Sequence, residues 1–268
     1  MKATLIQINS QDDKAANLAT MERLIDEAVE KERPDLIVFP EYCAFLSADS
    51  EAQRASGEPF PSGESFRRMA AKAKAHKVTI HAGSMVEADG DKRYNTTGVF
   101  GPQGEVLAKY RKIHLFDVVV PGGIRYLESE MVSRGSDIIT YRLGEFVIGC
   151  AICYDVRFPE IFRGLRDAGA DIIVLPAAFT AQTGKDHWEV LARARAIETQ
   201  TYFLATGQVF THAEGKKACW GHSMIVDPWG AMVAQASDRV GFVSARFDKA
   251  YIEQIRVNVP VDKHHVLG

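Results

Sequence analysis

The chain is 268 residues long, with 46% hydrophobic and 25% charged residues, 21 Gly and 10 Pro, a composition that excludes disorder, collagen-like repeats and low complexity. A chain of this length buries about three quarters of its unfolded surface, so one large domain needs no disulfide staples. Its 32 Lys and Arg against 35 Asp and Glu give a formal charge of −3 with no long block of either sign, which leaves nucleic-acid or membrane-surface binding without electrostatic footing and points to a small partner.

Residues 1–9 alternate like a strand and turn polar too soon for a signal peptide. No apolar run approaches the roughly 20 residues of a membrane helix. The four cysteines, Cys43, Cys150, Cys153 and Cys219, are sparse, and together these features predict a cytoplasmic protein with reduced thiols.

Strand and helix patterns then alternate. After a strand at 5–8, Leu18, Met21, Leu24, Ile25 and Ala28 recur at helical spacing until Arg33-Pro34 stops them. Residues 35–39 form the short continuous apolar run of a strand buried on both faces, completing a β-α-β unit. Phe66, Met69, Ala70 and Ala73 mark a second helix, 78–82 a strand, and Gly101-Pro-Gln-Gly104 a type I turn. The order then returns: a strand at 146–152, a helix at 161–168, and Asp171-Ile-Ile-Val-Leu-Pro176 echoing Asp35-Leu-Ile-Val-Phe-Pro40. Trp188, Leu191, Ala194 and Ile197 mark a helix whose capping-box-like start is Asp186 with Glu189, preceded by a flexible Thr-Gly segment. The strand at 202–207 and the turn Asp227-Pro-Trp-Gly230 complete the echo. This predicts an α/β protein with an internal pseudo-duplication: two similar sheets, each covered by helices on one face, packed as one domain over 1–268.

In open α/β sheets, reactive residues gather beyond the carboxyl ends of strands. Glu41, Lys112 and Cys153 stand at such ends. Taken singly, each has an ordinary reading as a solvated acid, a solvated base or a buried structural thiol. Cys150 and Cys153 have thioredoxin-like spacing, but residues three apart in a strand face opposite ways. The eight histidines form no close chelating pair, so no metal and no cofactor are expected.

Together, Phe39-Pro-Glu41-Tyr, Tyr110-Arg-Lys112-Ile-His-Leu-Phe-Asp117 and Cys153-Tyr-Asp-Val-Arg-Phe-Pro-Glu160 resemble the three catalytic motifs of the nitrilase superfamily of carbon–nitrogen hydrolases. Glu128 in Leu127-Glu-Ser129 matches that superfamily's second glutamate. Stretches at 183–189, 193–200 and 220–230 are similar to the branch containing omega-amidase and deaminated-glutathione amidase. The resemblance implies a four-layer α-β-β-α sandwich and protomers that pair through helices and a C-terminal tail, here about 248–268. It also implies hydrolysis of a small carboxylate-bearing amide to acid and ammonia through a Cys153 thioester, with water as co-substrate. Glu41 is then the general base, Lys112 with the Tyr154 N–H the oxyanion partner, and Glu128 the residue that positions Lys112 or the substrate amine.

Such a Cys needs a neighbouring cation or base to be reactive at neutral pH, and a low-pKa Cys153 would be alkylated faster than Cys150. Arg157 is the expected anchor of a substrate carboxylate, and Tyr42, Phe179 and Thr183 are expected in the pocket. Tyr154-Asp155 in place of Trp-Glu disfavours a nitrile substrate, and a single Arg157 disfavours an N-carbamoyl one. A non-catalytic binding protein of the same fold and a redox protein using Cys150 and Cys153 are the remaining alternatives. Cys43 is expected to be merely buried, and His187 and Trp188 to face either the pocket mouth or the core.

Overall fold

The computed structural model describes residues 1–119, 125–212, 215 and 217–266. Strand β1 (Lys2–Gln7), helix α1 (Lys14–Glu32) and strand β2 (Leu36–Val38) form the first β-α-β unit. There follow α2 (Ser50–Ala55), β3 (Glu58–Pro59), α3 (Glu64–His76), β4 (Thr79–His81), β5 (Met85–Asp89), β6 (Lys92–Phe100) and β7 (Val106–Arg111). A small ribbon of β8 (Asp117–Val119) and β9 (Arg125–Leu127) precedes a 3-10 turn at Glu128–Glu130. The second half holds β10 (Thr140–Leu143), β11 (Phe146–Cys150), a 3-10 turn at Cys153–Arg157, α4 (Pro159–Asp167), β12 (Ile172–Ala177), α5 (Ala181–Thr199) and β13 (Tyr202–Gly207). It ends with the antiparallel pair β14 (Val209–His212) and β15 (Lys217–Trp220), then β16 (Met224–Val226), β17 (Met232–Gln235), β18 (Gly241–Arg246) and α6 (Lys249–Asn258).

Two large sheets result, one ordered β18-β1-β2-β4-β6-β5-β3 with β7 also on β6, the other β10-β11-β12-β13-β16-β17. In the first, β1, β2 and β4 run parallel and β6 and β7 then antiparallel. In the second, β11, β12 and β13 run parallel and β16 and β17 antiparallel. An antiparallel strand flanks each set, β18 on β1 and β10 on β11. The pseudo-duplication read from the sequence is thus a repeat of topology. β18 carries the chain from the second sheet back to the first.

Alternation along β2 shows the layering. Leu36 and Val38 enter a core shared with Ile173 and Leu175 of the other sheet. Ile37 and the following Phe39 lie on the opposite face, under Leu18, Met21, Phe66 and Met69 of α1 and α3. A strand covered on both sides has no polar face, hence its continuous apolar run. On the far sheet, Phe162 of α4 lies 5.7 Å from Phe203 and Trp188 of α5 is buried, which completes an α-β-β-α sandwich.

Helix α5 departs from the sequence reading, since it begins at Ala181 rather than at Asp186. The hydroxyls of Thr180 and Thr183 lie 2.7 Å apart across its first turn. Gly184 is inside the helix because Trp220 closes on it, leaving a Cβ there only 2.4 Å from the Trp220 Cβ. The Thr-Gly pair is therefore a packing contact and not a flexible lead-in. Trp188 faces the core, its indole donating to the His222 carbonyl at 2.9 Å, whereas His187 stays on the outer side beside Arg157.

Helix α6 is fastened to the end of the second sheet through Asp171. Arg256 donates to Asp171 at 3.0 Å and to the Ala170 carbonyl at 2.7 Å, and Lys249 also reaches Asp171. Residues 267 and 268 of the expected C-terminal tail lie outside the described residues. No helix among the described residues is long and apolar enough to cross a membrane.

Candidate active site

Glu41, Lys112, Glu128 and Cys153, separated by up to 112 positions in the chain, converge where the carboxyl ends of β2 and β11 meet the end of β7. Glu41 follows β2 through Pro40, and the approach of the neighbouring segment requires glycine. Gly83 has φ of +58°, and a Cβ there would stand 2.0 Å from the Pro40 carbonyl oxygen. Cys153 follows β11 with φ of +43°, a left-handed conformation costly for any residue with a Cβ and concentrated at functional sites.

The Lys112 ammonium donates to Glu41 Oε1 and to Glu128 Oε2, each at 2.8 Å. All three side chains are buried. Burial alone would weaken the hold of Lys112 on its proton, but the Glu128 and Glu41 carboxylates outweigh it and raise its pKa well above the ordinary value. For Glu128 burial acts upward, yet Lys112, Asn95 and the Phe116 N–H together hold its pKa below the ordinary carboxylate value. The ion pair therefore persists across the neutral range.

Asn95 is a site residue that the sequence reading missed. Its amide donates to Glu41 Oε1 at 2.8 Å and to Glu128 Oε1 at 2.9 Å, tying the two acids that flank the lysine. The Tyr42 hydroxyl donates to Glu128 Oε1 at 2.7 Å, the Phe116 N–H to Glu128 Oε2 at 2.7 Å, and the Ala178 N–H to Glu41 Oε2 at 2.8 Å. Asp155, next but one to Cys153, also matters more than its sequence suggested. It is fully buried and accepts from the Ile152 N–H at 2.8 Å, the Tyr110 hydroxyl at 2.7 Å and the His114 N–H at 3.1 Å, with the His114 ring Nδ1 at 2.8 Å. It clamps the turn carrying Cys153 to the segment carrying Lys112.

The expectation of a low-pKa nucleophile is corrected. Burial, with the Glu41 carboxylate next, pushes the Cys153 thiol well above its ordinary pKa, and Lys112 with the Ala178 N–H offsets this only in part. The resting residue is a neutral thiol beside a base. Cys43 and Cys219 are also buried and pushed up to about 12, burial raises Cys150, and all four cysteines are free. Among the described residues no cluster of three or more His, Cys, Asp or Glu is arranged to hold a metal.

Two hollows meet at Cys153. A cleft of about 130 Å³ is bordered by Glu41, Tyr42, Lys112, Glu128 and Cys153. A recess of only about 10 Å³ is bordered by Phe116, Cys153, Tyr154, Ala178, Phe179, Thr180 and Thr183. Tyr42, Tyr154, Phe179 and Thr183 thus border one hollow or the other. Arg157 lies one layer behind, its guanidinium 5.2 Å from the Phe179 ring centroid and 3.4 Å from His187 Nδ1.

A buried acid–lysine–acid array beside a thiol, on a doubled α-β-β-α sandwich, is the equipment of a hydrolase. The chain belongs to the carbon-nitrogen hydrolase family, whose pattern it matches over residues 2–257. It is 40% identical to a deaminated glutathione amidase from Synechocystis sp., covering 98% of this chain and 97% of that protein. It is 38% identical to an omega-amidase from Xenopus tropicalis, covering 97% and 93%. Among solved structures, a nitrilase-superfamily protein of Saccharomyces cerevisiae superposes with a TM-score of 0.88 at 31% identity, over 97% of this chain and 94% of that one.

Proposed function

We propose that the protein is an amidase that hydrolyses a small carboxylate-bearing amide to the acid and ammonia through a thioester on Cys153. The observation that carries this reading is the Lys112 ammonium held at 2.8 Å from both Glu41 and Glu128 beside the Cys153 thiol. The relatives named as amidases support it.

In this mechanism Glu41 takes the thiol proton as sulfur attacks the carbonyl carbon, so no standing thiolate is required. The oxyanion is stabilised by Lys112 and the Tyr154 N–H, a kind of donor whose loss costs about a hundredfold or more in rate. Glu41 then protonates the departing nitrogen and activates the water that cleaves the thioester. Glu128 keeps Lys112 in place, and Tyr42 keeps Glu128 in place. The acyl part lies in the cleft at Cys153, with its carboxylate directed past Phe179 and Thr183 toward Arg157. Reaching Arg157 requires its side chain to leave His187.

The free thiols support a reducing compartment, the cytoplasm. The exposed apolar side chains of α5 and α6 support pairing of two protomers.

Ammonia release across a panel of omega-amides, N-carbamoyl compounds and nitriles tests the reaction class. Intact-mass detection of an acyl adduct on Cys153 tests the intermediate. Turnover retained by purified Cys153→Ala would show the nucleophile to be misassigned.

A further inference from the structure

Glu41 stands on a strained turn. Tyr42, the residue after it, has φ of +54°, a left-handed conformation that a residue with a Cβ keeps only where its surroundings hold it. Both acids beside Lys112 depend on this turn. Glu41 is carried by it directly, and Glu128 accepts from the Tyr42 hydroxyl at 2.7 Å. The groups that hold the turn come from β13 and from the end of β1.

Gln208, the first residue after β13, is buried. Its side-chain amide donates to the Glu41 carbonyl at 3.0 Å and to Ser10 Oγ at 2.9 Å, and its side-chain oxygen accepts from the Ser10 N–H at 2.9 Å. The Ser10 hydroxyl passes this support on, donating to the Cys43 carbonyl at 2.8 Å. The carbonyls on either side of Tyr42 are thus both held, one by Gln208 itself and the other through Ser10. Both amide hydrogens and the amide oxygen are used, so the amide has a single orientation; turned over, it would set its nitrogen against the Ser10 N–H.

The backbone of Gln208 is equally occupied. Its N–H donates to the Ala177 carbonyl and its carbonyl accepts from the Gly221 N–H, each at 2.9 Å. Ala177 is followed by Ala178, whose N–H reaches Glu41 Oε2 at 2.8 Å. Gln208 therefore grips Glu41 from two ends, its main-chain carbonyl directly and its carboxylate through the segment after β12. Joining β1 to β13 needs only the backbone pairing of Ile8 with Gln208 and Val209, and the side-chain amide is additional to it. We infer that Gln208 is a positioning residue for the reaction, one that sets the Glu41 carboxylate beside the Cys153 thiol by pinning the turn that bears Glu41 and Tyr42. This rests on the amidase reading, in which Glu41 is the base.

A base that is out of place fails at proton transfer, which requires hydrogen-bond reach, and leaves substrate capture intact. Loss of Gln208 therefore acts on kcat and spares KM. It also takes a restraint off the sulfur. The Glu41 carboxylate raises the Cys153 thiol, so a Glu41 that has moved away lets that thiol ionise more readily.

The test combines amide turnover with iodoacetamide alkylation at about pH 8, read cysteine by cysteine from peptide masses. Gln208→Met keeps the length of the side chain and removes its donors and its acceptor. It is expected to lower kcat about tenfold with KM little changed, and to speed alkylation of Cys153 severalfold while Cys150, buried on β11, keeps its wild-type rate. Gln208→Glu keeps the volume and the bond from the Ser10 N–H but cannot donate to the Glu41 carbonyl, and should lose as much turnover. Ser10→Ala should give the same pair of changes at smaller size, and it carries the test if Gln208→Met does not fold. In a Glu41→Gln background Gln208→Met should add nothing to the Cys153 rate, because the carboxylate it positions is gone. Wild-type kcat in Gln208→Met, equal acceleration at Cys150 and Cys153, or a further gain in the Glu41→Gln background overturns the positioning role. A wild-type protein that hydrolyses no amide overturns the amidase reading, and the alkylation rates then decide the positioning role by themselves.

Discussion

The Tyr110 hydroxyl donates to the Asp155 carboxylate at 2.7 Å, and this bond joins the end of β7, two residues before Lys112, to the turn two residues after Cys153. Lys112 and Cys153 are therefore held by one strut running between the two sheets. Asp155→Ala would leave several buried donors without an acceptor, each costing about 1–3 kcal/mol, whereas Tyr110→Phe removes one bond worth about 1 kcal/mol. The expected outcome is a severely destabilised Asp155→Ala. Tyr110→Phe should be folded and show a kcat reduced about tenfold with KM little changed. Thermal unfolding and steady-state kinetics check both. A Tyr110→Phe protein with wild-type kcat would show that the strut does not position the site.

Asn95 bridges the two acids, and its removal has a pH signature. Glu128 is held below its ordinary carboxylate value, so its contribution to stability is complete above the unfolded value of 4.5 and is lost as pH falls through the folded one. Asn95→Leu removes one of the donors that hold it down, which raises the folded value and shrinks the contribution. The acid-unfolding midpoint of Asn95→Leu, followed by circular dichroism, should move to higher pH. An unmoved midpoint would mean that the amide contributes nothing to the charged form of Glu128.

Two valines and an isoleucine define the surface where a second copy is expected. Val190 and Ile197, two turns apart on α5, are 65% and 51% exposed, and Val257 on α6 is 76% exposed. An exposed apolar patch marks an interaction site, and a stable dimer buries about 800 Å² per partner. Light scattering of the purified protein should give twice the 29.6 kDa chain mass, and Ile197→Asp should give the monomer. A monomeric wild-type protein would refute this pairing.

Much of this architecture is legible in the sequence because it rests on short-range pattern. The continuous run at 35–39, its echo at 171–176 and the residues beyond the strands suffice to place Glu41, Lys112 and Cys153. Glu128 is legible only through family resemblance, since its local sequence is a polar turn. Asn95 and Asp155 are legible only in part. A buried polar stretch, Asn95-Thr-Thr97, lies in the middle of β6, and that is an available signal. The partners of Asn95 and Asp155, however, lie 33 to 54 and up to 45 positions away, and no periodicity encodes them. The start of α5 is hidden because the capping pattern of Asp186 and Glu189 is local, whereas the first turn, closed by the Gly184 N–H on the Thr180 carbonyl, packs against the distant Trp220. The state of Cys153 is hidden in the sequence for a similar reason: only the fold shows that burial and the Glu41 charge together outweigh Lys112.

That thiol supplies the last test. Because burial and the Glu41 charge both raise Cys153, and Lys112 lowers it less than they raise it, the resting protein should react slowly with iodoacetamide near neutral pH, and faster as pH rises. Glu41→Gln removes the negative charge while leaving Lys112 beside the sulfur. The thiol should then ionise more readily, and alkylation at about pH 8 should be faster than in the wild type. Turnover should move the other way, falling about a hundredfold or more, because the group that carries the proton to the leaving nitrogen is gone. Opposite changes in thiol reactivity and in catalysis from one substitution separate a base from a merely structural acid. Slower alkylation of Glu41→Gln, measured by intact mass against time with Cys153→Ala as the blank, would mean that Glu41 activates the thiol in the resting state instead of restraining it.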